Sequence, residues 1–274
     1  MNSCPIDIIV PTYNSAKYLD ACLLGIKQSF DIGNIIVVDH YSTDDTIKIA
    51  KRHNANMYFE DKGLASALNL GIDKVKTEIF AIIDSDVVLT HGKWIDSLFR
   101  KFNSSEIGGI GLRVWSDIPW WRKKYAAFYQ HTRDFKEIKG GTWVNAYVIL
   151  KKALGHHFHI PESIGYTHLY IKDIITKSGY KIDFVDAEGI HYYDYHENKG
   201  VYMGAGERRY FGLRTFPVVI FRHVLLSPLK AIPPAIAYND PKVIFGNTKY
   251  WFDFCRGYLN PKPEFVNIKR IVKS

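Results

Sequence analysis

Residues 80–86 read Phe80-Ala81-Ile82-Ile83-Asp84-Ser85-Asp86, a short apolar run that ends in two acidic residues. An apolar run without polar alternation is typical of a strand buried on both faces, as in a parallel sheet covered by helices. Outward from this stretch, residues 6–10 and 35–39 form similar runs, and a segment with helical periodicity follows each. The first half of the chain is therefore predicted to be α/β, with a mostly parallel sheet and flanking helices.

The same patterns give bounds for the elements of this half. Strands are predicted at residues 6–10, 35–39, 56–59 and 79–84. Helices are predicted at about 16–29, 44–53 and 63–75.

Three of these strands end in polar sequences. They are Pro11-Thr12-Tyr13-Asn14, Asp39-His40-Tyr41-Ser42 and Asp84-Ser85-Asp86. Ligands bind at the carboxyl ends of the strands in open parallel sheets, so the three sequences are expected to converge on one rim.

Charge and cysteine content restrict the class of protein. The 274 residues contain 36 Lys and Arg against 28 Asp and Glu, and the formal charge of +8 favours nucleotides, phospholipid surfaces or nucleic acid without choosing among them. The scattered Cys4, Cys22 and Cys255 indicate neither a disulfide framework nor a zinc site. No basic region followed by an apolar segment opens the chain, so the site is expected to face the cytoplasm.

A largely apolar stretch at residues 207–238 is interrupted by basic residues and prolines. The interruptions leave no run of about 20 apolar residues, the length that a transmembrane helix needs. Two interpretations remain open: a basic amphipathic element that lies in a membrane interface, or helices that close the core.

Asp84 and Asp86 lie one residue apart at the end of a predicted buried strand. Two carboxylates there are unfavourable unless a cation neutralises them, and Mg²⁺ or Mn²⁺ held by carboxylates, waters and substrate phosphates is the usual arrangement. Such an ion would stabilise the charge on a departing nucleoside diphosphate. A solvated turn is the alternative for this motif taken alone.

Four ordered motifs between residues 7 and 86 resemble the inverting glycosyltransferases of family 2, which have the GT-A fold. The motifs are Asp7-Ile-Ile-Val-Pro-Thr-Tyr-Asn14, Val37-Val-Asp-His-Tyr-Ser-Thr-Asp-Asp-Thr46, residues 63–72 with Asn69 and Gly71, and Ile82-Ile-Asp-Ser-Asp86. The resemblance implies transfer of a hexose, with inversion, from a nucleotide-diphosphate sugar to a lipid-linked or glycan acceptor. It also implies Mn²⁺ or Mg²⁺ as cofactor.

The resemblance assigns residues to the donor and to the metal. It implies nucleotide contacts by Pro11, Thr12, Tyr13, Asn14, Asp39, Lys62 and Asp84, and a metal held by Asp84, Asp86 and His191. Asp39 can accept a hydrogen bond from a pyrimidine N–H, and Tyr13 offers a stacking face. The alternatives are a plain turn at Thr12 and Tyr13 and helix capping by Asp39 and Ser42.

His191 owes its assignment to its position in the chain. Residues 180–185 and 190–191 resemble the family's late strand and the histidine that completes the metal shell, and imidazole can bind Mn²⁺. Asp194 and His196 are competing candidates. Asp86 is predicted to be catalytic because it would bind the metal.

One pair of positions departs from the family pattern. Family members place an acidic pair at the start of the helix before the turn at residues 179–180, and here those positions hold Thr167 and His168. Imidazole has an unperturbed pKa of about 6.5, so His168 is the predicted general base, with Glu162 and Asp173 in reserve. Alternatively, no base is needed because a phosphate acceptor such as a polyprenyl phosphate is already nucleophilic.

The resemblance divides the chain at residue 200. Residues 1–103 form the nucleotide-binding half and residues 104–200 the acceptor-binding half of the catalytic domain, and residues 201–274 form a helical extension. The acceptor half is rich in Gly and aromatic residues and is predicted to be irregular. Its tryptophans are candidates for a sugar-stacking wall, a lipid-facing lip or core packing: Trp115, Trp120, Trp121 and Trp143. Residues 140–142 would allow close backbone approach to the sugar, or form a plain turn.

Other functions are less compatible with the sequence. A nucleotidyltransferase would need a Gly-rich basic loop after the first strand, and residues 11–15 contain none. A non-catalytic nucleotide-sugar or carbohydrate-binding protein of the same fold remains open. No nucleic-acid recognition motif occurs, so the expected partners are the donor, the acceptor and a membrane surface at the inner face of the cell membrane.

Overall fold

The structure is a computed structural model that describes residues 5–117, 145–162, 164, 166–192 and 199–261. These residues fall into two compact units. The first unit contains residues 5–117, 145–162 and 167–192, and the second contains residues 164, 166 and 199–261. Several residues singled out in the sequence lie outside the described residues: Trp120, Trp121, Gly140, Gly141, Thr142, Trp143, Asp194 and His196.

The first unit alternates strands and helices along its amino-terminal half. Its strands are β1 Ile6–Thr12, β2 Ile32–Asp39, β3 Asn56–Phe59, β4 Ile79–Ile83, β5 Val87–Leu89, β6 Ile107–Asp117, β7 Ala146–Leu150 and β8 Lys181–Tyr192. Its helices are α1 Ala16–Ser29, α2 Thr46–Arg52, α3 Leu64–Lys74, α4 Trp94–Phe102 and α5 Thr167–Lys177.

The described strands form one sheet in the order β3-β2-β1-β4-β7-β6-β8-β5. β1 runs parallel to β2 and β4, and β2 runs parallel to β3. The predicted α/β alternation is therefore confirmed, and the carboxyl ends of β1, β2 and β4 meet at one rim. The observed bounds lie within three residues of those predicted.

The described residues between 104 and 200 are more regular than predicted. β7 runs antiparallel between β4 and β6, and β8 pairs in parallel with β6 and antiparallel with β5. The prediction of an irregular region was wrong for these residues because glycines at 108, 109 and 111 weaken the strand signal of β6. Gly108 has a packing reason, since a Cβ there would lie 2.5 Å from the Cβ of Tyr180.

The core of the first unit lies between its sheet and its helices. β1 and β4 bury almost all their side chains, and α1 buries Leu19, Cys22, Leu23 and Ile26 against them. Gly71 of α3 is required where the helix crosses β1, because a Cβ would lie 2.6 Å from Cγ2 of Ile9. This tight packing holds the strand ends, and therefore the rim, in fixed positions.

The second unit is helical in its described residues. It contains α6 Lys199–Phe211, a 3₁₀ turn Gly212–Thr215, one helical turn Phe216–Val218, a π-helical segment Val219–Leu225, α7 Leu226–Ala237 and α8 Lys242–Leu259. Taken singly, none of the described helices has both the length and the hydropathy to cross a bilayer. Met203–Phe221 and Leu226–Ala237, which meet at a bend of 48°, reach that length and composition only as a pair.

Candidate functional site

The carboxyl ends of β1 and β2 are joined by a buried carboxylate. Thr12 and Asp39 are register partners at the end of the two strands, and both are buried. The Thr12 hydroxyl donates a hydrogen bond of 2.8 Å to Oδ2 of Asp39. The backbone N–H and the hydroxyl of Ser42 donate to the same carboxylate at 2.7 and 2.6 Å. Asp39 therefore holds the end of β1 and the turn after β2 together. Its predicted contact with the nucleoside stays a prediction.

The turns after β1 and β2 are bonded to each other. Asn14 has a φ of 47°, and its N–H donates to Oγ of Ser42 at 2.8 Å. The carboxylate of Asp44 accepts the N–H of Ala16 at 3.1 Å and that of Thr46 at 3.0 Å, at the starts of α1 and α2. Burial raises the pKa of Asp44, but a hydrogen bond from the Thr46 hydroxyl, together with these backbone hydrogen bonds, outweighs it and holds the pKa below its ordinary value.

Tyr13 packs against a short polar chain at the ends of β2 and β3. Its ring meets His40 edge-on, with centroids 5.4 Å apart. Nδ1 of His40 lies 2.8 Å from Oε1 of Glu60, whose Oε2 accepts the backbone N–H groups of Lys62 and Gly63 at 2.8 Å each. Burial raises the pKa of Tyr13, so its phenol is protonated at neutral pH. The contact with His40 therefore fixes the position of the Tyr13 ring, which is predicted to stack on the base.

Pro11 and Lys62, the other two predicted nucleotide contacts, are placed differently. Pro11 pairs with Val38, beyond the point where β1 pairs with β4, so its missing N–H breaks no hydrogen bond to β4. The ammonium of Lys62 lies 3.1 Å from Glu162, and both side chains are exposed. Lys62 therefore pairs with one of the reserve acids in this structure.

The Asp84–Asp86 motif forms a turn that is fixed on three sides. The N–H of Val87 donates to the carbonyl of Asp84 at 3.0 Å, which closes the turn. The N–H of Asp84 donates to the carbonyl of Asn145 at 2.7 Å. The Ser85 hydroxyl lies 2.8 Å from the hydroxyl of Ser15, which connects the motif to the turn after β1.

His191 lies beside this motif. It is the register partner of Val87 in the antiparallel pair of β5 and β8, and it is buried. Its Nε2 lies 3.4 Å from Oδ1 of Asp86, and its Nδ1 lies 3.0 Å from Nδ2 of Asn145. Two of the three predicted metal ligands are therefore adjacent, although 105 positions separate them in the sequence.

The two carboxylates of the motif act on groups buried beneath them. Burial raises the pKa of the Cys22 thiol, and the charges of Asp86 and Asp84 raise it further. Burial also raises the pKa of Tyr147 on β7, with Asp84 adding to the effect. The smaller, coulombic part of these shifts shows that the two carboxylates make their surroundings more favourable for positive charge.

His168, the predicted base, lies in the first turn of α5 and is half-buried. Burial, with a smaller contribution from Lys172, lowers the pKa of His168 to about 4. The imidazole is therefore neutral at pH 7, but it binds a proton weakly. The reserve candidate Asp173 is exposed on the same helix.

Two residues of the family motifs have structural roles. Asp7 is buried in β1, where its carboxylate accepts hydrogen bonds from the side chain of Asn34 and the backbone of Thr77. The amide of Asn69 forms two hydrogen bonds with the backbone of Ile160, at 2.8 and 2.9 Å. These residues fix segments around the rim and do not reach it.

The site also contains residues that the sequence did not single out for it. They are Ser15, His40, Glu60, Ser85 and Asn145. Each acts through a partner distant in sequence, such as His191 for Asn145 or Glu60 for His40, so no local pattern could have indicated them. Ser15, His40 and Ser85 adjoin predicted residues and so carried a weak positional signal, and His40 and Ser85 lie within the polar sequences at the strand ends.

Comparison with known sequences gives one family. The sequence model described as "Glycosyl transferase family 2" matches residues 7–161 of this chain. Glycosyltransferase GlyG of Streptococcus pneumoniae serotype 4 is 33% identical over 109 residues, which cover 37% of this chain and 36% of GlyG. The chain thus spans little more than a third of the length of this curated relative.

Two solved structures have a similar fold. The mannosyltransferase PcManGT from Pyrobaculum calidifontis, in complex with GDP-Man and Mn²⁺, has a TM-score of 0.64 at 16% identity, covering 95% of this chain and 90% of that one. Glucosyl-3-phosphoglycerate synthase from Mycobacterium tuberculosis, in complex with Mg²⁺ and UDP, has a TM-score of 0.53 at 17% identity, covering 74% and 75%. At these identities the likeness concerns the fold alone.

Proposed function

The chain belongs to glycosyl transferase family 2, and we propose that it transfers a hexose from a nucleotide-diphosphate sugar to a lipid-linked or glycan acceptor. Its GT-A fold, which the sequence motifs implied, is confirmed by the likeness to solved glycosyltransferases. In the proposed reaction the acceptor oxygen bonds to the anomeric carbon as the bond to the diphosphate breaks. One such in-line displacement inverts the anomeric centre and needs no covalent enzyme intermediate.

One observation carries this proposal: Asp86 and His191 are adjacent at the rim where β1, β2 and β4 end. Their contact of 3.4 Å joins an acidic motif to a histidine that arrives from β8. The hydrogen bond between Ser15 and Ser85 connects the same motif to the turn predicted to hold the nucleotide. Donor diphosphate and metal would therefore meet at one place on the sheet.

The residues present fit a divalent cation. Asp84 and Asp86 would supply carboxylate oxygens and His191 would supply Nε2, a donor set that suits Mn²⁺ and, through its oxygens, Mg²⁺. Within the described ranges, no three or more His, Cys, Asp or Glu side chains form a ready-made metal cluster, so the donor phosphates and waters would complete the coordination. When bound, such an ion supplies charge neutralisation for the departing diphosphate.

The remaining rim residues would bind the nucleoside. Tyr13 would stack on the base, with His40 and Glu60 positioning its ring. Thr12 and Asn14 would bound the ribose, and Asp39 would hold these turns in place. GDP-Man in PcManGT and UDP in glucosyl-3-phosphoglycerate synthase support a nucleotide-sugar donor without selecting its base.

The weak basicity of His168 favours a second form of the reaction. A base with a pKa of about 4 removes a hydroxyl proton poorly at neutral pH. An acceptor whose attacking oxygen is already ionised, such as a polyprenyl phosphate, needs no base. Catalysis by His168 and transfer to a phosphate acceptor are therefore competing forms of the same proposal.

Donor binding tests the proposal first. UDP-, GDP- and dTDP-sugars are screened for thermal stabilisation and hydrolysis with Mn²⁺, with Mg²⁺ and with chelator. We expect one nucleotide class to raise the unfolding temperature only with metal, because binding at a ligand concentration of 100 times the Kd adds about 2.7 kcal/mol to the free energy of unfolding. Asp84→Asn and Asp86→Asn should abolish the effect, whereas Asp73→Asn, an exposed carboxylate on α3, should retain it. A chain that responds to none of the donors contradicts the transferase proposal.

Acceptor assays then separate the two forms. If His168 is the base, His168→Gln lowers kcat on hydroxyl acceptors by about 10²-fold or more and spares phosphate acceptors. If the acceptor is a phosphate, the wild-type chain and His168→Gln use it equally well. Binding of the donor without hydrolysis or transfer would support the non-catalytic alternative.

A further inference from the structure

Six apolar side chains form an exposed row on the second unit. They lie on the continuous helical stretch from Phe216 to the end of α7 and are between 40% and 75% exposed. The row consists of Val218, Phe221, Leu225, Leu229, Ile232 and Ile236. Val218 and Phe221 precede the 48° bend, and Leu229, Ile232 and Ile236 follow it. Their spacing of three or four residues is close to one helical turn, so each group lies on one side of its own helical segment.

The opposite side of this stretch is also apolar, but buried. Val219 packs with Phe254 and Tyr258 of α8, and Ala235 packs with Tyr250. An ordinary surface helix has one apolar side facing the core and a polar side facing water. A helix that is packed against the core on one side and exposes a second apolar side to solvent is typical of an interaction surface.

An open groove continues the row towards the start of the stretch. It has a volume of about 550 Å³ and is lined by Pro217, Val218, Phe221, Leu226 and Lys230. Among the lining residues that the structure describes, Lys230 is the charged one, and it borders apolar side chains.

The part of the chain that carries the row has charges of one sign, between Glu207 and Asp240, and on α8 Lys249 pairs with Asp253. Residues 208–239 contain five cations and no Asp or Glu: Arg208, Arg209, Arg214, Arg222 and Lys230. α8 presents an exposed row in which cations and apolar residues alternate: Lys242, Phe245, Lys249, Phe252, Arg256 and Leu259. Alternation of this kind is typical of helices that lie in the interface of a bilayer, with aliphatic and aromatic groups at the acyl boundary and cations at the phosphates.

We propose that the second unit binds the surface of an anionic phospholipid bilayer through the apolar row, with the neighbouring cations at the lipid phosphates. A bilayer supplies acyl chains and negative charge from the same side, which matches this combination. A second copy of the chain matches it less well, because a two-fold contact would bring the cationic surfaces together. The inference is independent of the transfer reaction, since lipid binding requires neither donor nor acceptor.

Vesicle flotation without any nucleotide sugar tests the inference. The full-length protein is mixed with phosphatidylcholine vesicles, with or without phosphatidylglycerol. We expect it to float with the anionic vesicles and to dissociate as salt rises from about 0.1 to about 0.5 M. The double substitution Phe221→Asn/Leu229→Asn should weaken partitioning by about tenfold or more. Arg214→Gln/Lys230→Gln should remove the preference for anionic lipid.

Leu24→Asn is the matched control, because Leu24 is an exposed leucine on α1 of the first unit. It should partition like the wild type. Equal partitioning of Leu24→Asn and Phe221→Asn/Leu229→Asn would overturn the assignment of the row, and absence of binding to anionic vesicles would overturn the inference itself. Binding that survives an alkaline carbonate wash would indicate that the helical pair is inserted in the bilayer, and it would contradict binding at the surface.

Sedimentation in the absence of lipid tests the alternative that a second copy of the chain binds to the apolar row. The proposal expects the wild type and Phe221→Asn/Leu229→Asn to have the same oligomeric state. A wild-type dimer that the substitutions convert to a monomer, without vesicle binding by either, would instead identify the row as a contact between two copies.

Discussion

Asn145 contacts two of the predicted metal ligands. Its carbonyl accepts the N–H of Asp84, and its side-chain amide contacts Nδ1 of His191. In this arrangement the amide Nδ2 donates to Nδ1, so the neutral ring carries its proton on Nε2, which faces Asp86. For Nε2 to bind a metal, the ring proton would move to Nδ1 and the amide would turn to accept it through its oxygen. A residue that orients ligands in this way is expected to affect metal affinity without binding the metal itself.

Replacing Asn145 by glycine tests this role. Asn145 has a φ of 69°, which glycine adopts without strain, so Asn145→Gly removes the amide and keeps the backbone conformation. We expect the affinity for Mn²⁺, measured by calorimetry in the presence of nucleoside diphosphate, to fall by about 10-fold to 100-fold. Asn54→Gly is the control, because Asn54 has a φ of 56° on an exposed turn. Equal metal affinity of the two variants would contradict the role given to Asn145.

His168 makes the stability of the chain depend on pH. Its pKa in the folded protein is about 4, below the ordinary value of 6.5, so between these values the unfolded chain binds a proton that the folded chain does not. Stability is therefore expected to fall by about 1–3 kcal/mol as the pH drops from about 6.5 to about 4. In His168→Gln this part of the pH dependence, measured by urea unfolding, should disappear. An unchanged profile would show that His168 titrates alike in both states.

At the scale of elements, α6 and α8 approach so closely that only glycine fits at three positions. A Cβ at Gly204 would lie 1.8 Å from the carbonyl oxygen of Phe254, and one at Gly257 would lie 1.9 Å from that of Val201. Gly200 faces Tyr250 in the same way, at 2.5 Å. Backbone atoms cannot move aside as a flexible side chain can, so these glycines determine the separation of the two helices.

Gly204→Ala is therefore expected to destabilise the second unit although alanine favours helices. Overpacking against backbone should outweigh the gain in helix propensity and leave a net loss of about 1–3 kcal/mol. Hydrogen exchange of α6 and α8 measures this loss locally, without assuming that the two compact units unfold together. Gly246→Ala, at a half-exposed position of α8, is the control and should be neutral or stabilising. Faster exchange in both variants would contradict the packing argument.

At the scale of the whole molecule, the described residues include one buried free cysteine in each compact unit. Cys22 lies in the core of the first unit and Cys255 in that of the second. Burial raises the pKa of both thiols, which disfavours the reactive thiolate. The two thiols therefore report the opening of the two units separately.

In a Cys4→Ser background, these thiols should react with Ellman's reagent on the order of a thousandfold more slowly than in denaturant. The added single substitutions Cys22→Ser and Cys255→Ser would assign each phase to its unit. Ser104→Cys, at an exposed position, supplies the control thiol and should react at once. Immediate reaction of Cys22 or Cys255 in the native protein would show that the corresponding unit opens easily.

The sequence by itself determined the α/β order of the first half, the strand ends that form the rim and the family. These features depend on local periodicity and on short motifs, which are readable because each lies within a few consecutive residues. Periodicity was less informative for β6, where close packing requires glycine and the strand signal is lost. Pairs such as Asp86 with His191 were expected only through the resemblance.

Only the tertiary structure decided which contacts fix the rim and that the pKa of His168 is lowered. Asn145 contacts His191, and Glu60 contacts His40, because the strand order and register of the sheet bring these residues together. Neither the strand order nor the register can be read from the sequence. The low pKa of His168 arises from burial, which is a property of the packed chain and not of the residue. The exposed apolar row of the second unit has the same origin, because the sequence shows apolar residues on both sides of a helix but not which side the core covers.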